Sequence, residues 1–147
     1  MTIRQIDFGS EDYEQMIALR VSQLLEPIGV PSSYIDRDAE RKDIFVGAFE
    51  ENEMIGCCVL TARERGSVQL RQMTVRSDYR GKGIGAEIIG FAEAIAREKN
   101  FTIVMMHARD PVIGFYEKCG YEIYDAPFSE VGIGHHKMRK SLNRPFM

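Results

Sequence analysis

The chain has 147 residues, with 19 Lys and Arg against 22 Asp and Glu and a formal charge of −3. That length suits one domain over residues 1–147, and the mild acidity excludes the basic field of a general nucleic-acid binder. At 44% apolar and 28% charged the composition is globular, and no apolar run approaches the roughly 20 residues of a membrane span, so neither nucleic acid nor a membrane is an expected partner.

Residues 2–8, with Ile3, Ile6 and Phe8, predict a first strand. Ser10 followed by Glu11 and Asp12 is an N-cap with acids in the first turn. Tyr13, Met16, Ile17, Leu24 and Leu25 then fall on helical spacing, with Arg20 among them, until Pro27, Gly29 and Pro31 open a loop. Residues 35–42 predict a short polar helix. Residues 44–49 and 54–60 predict a hairpin across the acidic turn Glu50, Glu51, Asn52, Glu53. The next strand is Ser67–Val75. A loop over residues 76–80 leads to Gly81-Lys82-Gly83-Ile84-Gly85 and a long helix, whose Ile84, Ile88, Ala92 and Ile95 recur every three or four residues as far as Lys99-Asn100. Residues 101–106 form a continuous apolar run, as in a strand covered on both faces. Asp110-Pro111 opens a helix over residues 111–118 that stops at Gly120, and residues 121–124 and 136–140 are the last strands. The fold class is therefore α/β (α+β), a mixed sheet flanked by helices, with hairpins and crossovers together.

Cys57, Cys58 and Cys119 are too few to pair completely, and adjacent Cys57 and Cys58 in an apolar strand read as buried thiols. The N-terminus lacks a signal-peptide core, so a reducing, cytoplasmic setting is expected. No Cys/His spacing calls for a metal.

The chemistry concentrates where the Ser67–Val75 strand runs through a glycine-rich turn into a helix. Glycines there let the chain turn tightly and expose its N–H groups, and with the helix dipole these form an anion site suited to a pyrophosphate, to which Arg80 and Lys82 add charge. A P-loop would need four residues between two glycines and then Lys-Ser/Thr, and a dinucleotide fingerprint needs a different glycine spacing. The competing reading is a plain helix cap on a flexible turn.

Arg80-x-x-Gly83-x-Gly85 after Met73-Thr74-Val75 resembles the acyl-coenzyme A signature of the GNAT superfamily of N-acetyltransferases. About 30 residues further on, Gly114-Phe115-Tyr116-Glu117-Lys118-Cys119-Gly120-Tyr121 is similar to that family's helix-to-strand junction, and the order of elements fits along nearly the whole chain. His107-Ala108-Arg109, and the stretch from Phe128 through Ser129-Glu130-Val131-Gly132-Ile133-Gly134-His135-His136 to Met138, resemble a subgroup of small members. That subgroup usually has Gly-Ile-Pro-His. Gly134 stands at the proline, so a less rigid loop is expected. Many members carry Asn where Arg109 stands.

The resemblance implies one N-acetyltransferase domain with a mostly antiparallel central sheet, in which Ser67–Val75 splays from the strand over residues 101–106. It implies acetyl-coenzyme A as cosubstrate, with no metal. The pantetheine arm would pair with the main chain of Met73, Thr74 and Val75. The amides of Arg80, Gly81, Lys82, Gly83, Ile84, Gly85 and Ala86 would hold the pyrophosphate. A primary amine would attack the thioester directly in a ternary complex, and a backbone amide near Val75 would polarise the carbonyl. Tyr116 matches the tyrosine that acts as acid toward the leaving thiolate, the competing reading being an aromatic packed on the sheet. The family's basic glutamate lies on the strand where this chain has Gln69, Arg71 and Gln72, so the base falls to Glu130, His135 or His107, with His136 alternating away from His135. A small-molecule amine is the leading acceptor. A peptide amine, a non-catalytic acyl-coenzyme A-binding regulator and a plain interaction domain stay open, and the family suggests a homodimer.

Overall fold

A computed structural model describes residues 1–142. Seven strands form one sheet: β1 (Thr2–Ile6), β2 (Ile44–Glu50), β3 (Glu53–Ala62), β4 (Ser67–Val75), β5 (Ile103–Arg109), β6 (Glu122–Glu130) and β7 (Ile133–Ser141). Their spatial order is β1-β2-β3-β4-β5-β7-β6, and every neighbouring pair is antiparallel except β4 and β5. The helices are α1 (Glu11–Arg20), α2 (Ile84–Glu98) and α3 (Ile113–Lys118). No helix among the described residues is long and apolar enough to cross a membrane.

Alternation along the strands divides the core in two. On one face α2 lays Ile84, Ile88, Ala92 and Ile95 onto Val46, Cys58, Leu60, Val68, Val104 and Met106. Each of the larger aliphatic side chains among them contributes about 1.5–3 kcal/mol when taken out of water. On the other face α1 lays Tyr13, Met16 and Ile17 onto Ile6, Phe45, Cys57 and Val59. The Ser10 hydroxyl caps α1 by accepting from the Tyr13 amide at 3.1 Å. The β2–β3 turn is a tight one, with Glu51 and Asn52 both at positive φ.

Several expectations change. The first strand ends at Ile6 rather than at residue 8. The first helix is α-helical only to Arg20, after which Val21–Leu25 form a π turn. The polar helix over residues 35–42 reduces to one 3-10 turn, Asp38–Glu40, and its Glu40 is buried by an ion pair that local polarity does not reveal. β5 is not covered on both faces. Val104, Met106 and Ala108 are buried under α2, but Ile103, Met105, His107 and Arg109 are half-buried, because α1 covers the other half of the sheet. β6 and β7 are longer than expected, and the stretch around Gly134 is strand rather than loop, with Gly134 opposite Ser129. A Cβ at Gly134 would press on the Asp110 carboxylate, the end of an exposed side chain that can move aside.

Candidate active site

β4 pairs with β5 from Ser67 opposite Ile103 to Leu70 opposite Met106 and no further. Just beyond, β4 carries one residue more than its other neighbour. Arg71 faces Val59 and Thr74 faces Cys57, so Gln72 and Met73 share the place opposite Cys58. Gln72 takes a left-handed φ of 53°. Such a bulge bends its strand. From here β4 stays with β3 while β5 stays with β7, and a gap opens between them. The Arg76 amide donates to Ile55 of β3 at 2.7 Å. With a period of two, the main-chain groups of Thr74 also face β3, and those of Met73 and Val75 face the gap. The Val75 carbonyl already accepts from Arg80 Nε at 2.9 Å, and Arg80 also reaches Gln23 of the π turn at 3.2 Å.

The gap leads to the start of α2. Gly81 and Gly83 have φ of 79° and 80°, and a Cβ on either would meet nothing within 4 Å. Gly83 caps α2 in the left-handed region with no side-chain acceptor for its first turn. Among the described residues, nothing accepts from the amides of Gly81, Lys82 and Gly83. Free N–H groups at a helix N-terminus, with Arg80 and Lys82 beside them, form an anion site. Gly85 is different: a Cβ there would press on the Phe115 ring at 3.0 Å and the Met73 methyl at 3.2 Å, so these side chains meet over the first turn of α2.

Tyr116, on α3, is 8% exposed and packs edge-on against Phe115 and Tyr121. Its hydroxyl bonds to no described residue. Burial pushes its pKa above the ordinary phenol value, while the Arg109 guanidinium pulls it down, so it is a protonated donor at neutral pH. Burial likewise pushes the Cys57 thiol up to about 12 and raises Cys58 and Cys119, so none is a ready thiolate.

The structure brings together His107, Glu130 and His135. His107 Nδ1 lies 3.1 Å from one Glu130 oxygen, and His135 Nε2 lies 3.8 Å from the other. His135 Nδ1 donates to the Ile133 carbonyl at 2.7 Å, which leaves Nε2 as the acceptor of the neutral ring. Phe128 sits between the two imidazoles, with centroids 5.0 Å from His107 and 5.6 Å from His135. His136 points to the other face and contacts Asp110 at 2.8 Å. Beside this cluster, on the sheet face that α1 leaves bare, lies an open groove of about 640 Å³ lined by Ala62, Arg63, Glu64, Ser67, Gln69, Met105, His107 and Tyr124.

The family model described as Acetyltransferase (GNAT) family matches residues 13–121. The chain belongs to the GNAT acetyltransferase family. Among sequence relatives of this GNAT chain, the uncharacterized protein YyaT of Bacillus subtilis (strain 168) is 33% identical over 99 residues, 65% of this chain and 64% of that protein. The chain thus spans less than two thirds of that relative's own length. A crystal structure of a putative N-acetyltransferase from Lactobacillus plantarum matches with a TM-score of 0.87 at 23% identity, covering 97% of this chain and 100% of that one. An aminoglycoside 6'-N-acetyltransferase complexed with coenzyme A matches with a TM-score of 0.83 at 17% identity, covering 99% and 100%. At these identities both are likenesses of the GNAT fold.

Sequence reasoning missed a second polar group. Arg20 is wholly buried in a fork-to-fork pair with Glu40, and Tyr13 donates to the same carboxylate at 2.9 Å. The one signal was a charged residue, Arg20, within the apolar stripe of its helix. Burial raises the Glu40 pKa, but the hydrogen bond and charge of Arg20 outweigh it and hold the carboxyl below its ordinary value. The bulge at Gln72 left no mark in the sequence.

Proposed function

We propose that the chain transfers an acetyl group from acetyl-coenzyme A to the primary amine of a small molecule by direct attack in a ternary complex. The observation that carries this is the bulge-splayed gap between β4 and β5, which runs into an α2 N-terminus whose glycine turn leaves its amides free. The main-chain groups of Met73 and the Val75 amide would pair with the pantetheine arm. The amides from Gly81 to Ala86 would hold the pyrophosphate, with Lys82 adding charge. Because Arg80 occupies the Val75 carbonyl, the arm either displaces it or bonds only to the remaining groups.

The acceptor would enter from the bare sheet face, through the groove beside His107. An ammonium must first lose a proton. Glu130 and His135 Nε2 lie 3.8 Å apart, placed to take it directly or through water. The amine nitrogen then bonds to the thioester carbon, the C–S bond breaks and the thiolate departs. Tyr116 donates to that thiolate, and the second proton, released by the nitrogen as the amide forms, restores the Tyr116 hydroxyl. An ammonium and acetyl-coenzyme A thus give an amide, the free thiol and one proton. The coenzyme A complex of one structural neighbour supports the cosubstrate, and its description as an aminoglycoside acetyltransferase supports a small amine as acceptor.

The test is free-thiol release from acetyl-coenzyme A with a panel of small amines and amine-bearing peptides. Turnover with a small amine supports the reading. The alternative, an acyl-coenzyme A-binding regulator, draws on β4 having no acid at Gln69, Arg71 or Gln72. Tight coenzyme A binding with no turnover across the panel would favour it.

A further inference from the structure

The buried Arg20–Glu40 pair has no part in the chemistry above, yet it meets the site at one point. Arg20 spends two of its donors on the Glu40 carboxylate and a third, Nε, on Gln72 Oε1 at 3.2 Å. Gln72 is the left-handed residue of the bulge. The residue before it, Arg71, is held from the same side, bonding to Asp43 at 3.4 Å and Thr61 at 3.1 Å, with Glu40 3.8 Å away. The last β4 residue paired to β5 is Leu70. The two residues at the point of divergence are therefore both anchored by side chains toward α1 and the segment that follows it.

Stability alone is a poor reason for such a pair, because a buried ion pair replaced by apolar residues of similar volume is often neutral or better. Its fork geometry does suit it to fixing one backbone conformation, since guanidinium and carboxylate lock each other's plane and leave Nε aimed in one direction. A glutamine at positive φ also needs its surroundings to hold it there. We propose that Arg20 and Glu40 are positioning residues that pin the Gln72 bulge and thereby set the opening between β4 and β5. The proposal rests on reading that opening as the acyl-coenzyme A slot.

The test compares the wild-type chain with the double variant Arg20→Met/Glu40→Leu and with Gln72→Leu. Thermal unfolding and calorimetric titration with coenzyme A are measured on each. Binding by the wild-type chain secures the slot reading first, and its absence would overturn that reading rather than the pin alone. The double variant also orphans the buried Tyr13 hydroxyl, so it is expected to unfold cooperatively at a somewhat lower temperature than wild type, while its coenzyme A Kd rises tenfold or more at unchanged stoichiometry. A merely structural pair would change the unfolding temperature or the active fraction and leave Kd alone, and an unchanged Kd in the folded double variant overturns the proposal. Gln72→Leu keeps the ion pair and removes only its link to the bulge, so it guards against a double variant that does not fold. It is expected to raise Kd several-fold, and an unchanged Kd in folded Gln72→Leu overturns the proposal equally.

Discussion

Gly83→Ala separates a pyrophosphate cradle from a plain helix cap. Gly83 sits at φ 80°, and an added Cβ would meet nothing within 4 Å. In the free protein the cost is therefore backbone strain alone, about 1–2 kcal/mol for an L residue in the left-handed region. At this chain length that lowers the unfolding temperature by about 3–8 °C. Coenzyme A binding should suffer separately, because in the proposed cradle the space a Cβ would fill is where phosphate oxygens would approach the free amides. Losing one hydrogen bond to a charged oxygen, about 1.5–3 kcal/mol, weakens binding about 10- to 100-fold. The control is Gly9→Ala, at φ 78° and equally open, but between β1 and α1 on the far side of the sheet. It should lose similar stability and keep its affinity. The assays are thermal unfolding and calorimetric titration with coenzyme A. Gly83→Ala binding within twofold of wild type would refute the cradle.

Tyr116→Phe should lower kcat by about 100-fold and leave the coenzyme A Kd unchanged, because it removes only the donor to the leaving thiolate. Equal kcat would return Tyr116 to a packing role. Glu130→Gln keeps the shape but cannot accept a proton, so kcat should fall about 100-fold with the coenzyme A Kd unchanged, and an unchanged kcat would discard Glu130 as the base. Stability should also depend on acid. Glu40 is held below its ordinary value of 4.5 in the folded chain, so its contribution is complete above that pH and lost as pH falls through its lowered native value. Asp43, raised by burial, opposes it by costing stability once ionised. Glu40→Gln should weaken the fall of unfolding temperature between pH 5 and pH 3, and an identical slope would sink the assignment.

Local patterns carried much of this molecule. The Ser10 cap, the α2 stripe and the glycine turn are decided by residues within a turn of one another, so the sequence displays them directly. The misread parts depend on partners far along the chain. Glu40 looks like surface until Arg20, from a different helix, closes on it. Residues 101–106 look covered on both sides because composition cannot say how far α1 reaches across the sheet. His107, Glu130 and His135 could be named one by one, but their meeting depends on the register of β5, β7 and β6, including the irregularity between Tyr124 and Phe128. Arg109 is similar: its charge acts on Tyr116 from the end of β5, a relation that only the folded sheet creates.

The most direct test of the central claim is an amide-resolved NMR titration of the chain with coenzyme A. Saturable one-to-one shifts are expected at Met73, Val75 and the amides from Gly81 to Ala86, with smaller changes around Tyr116. No shifts in the folded protein, or shifts confined to the bare face of β6 and β7, would contradict it.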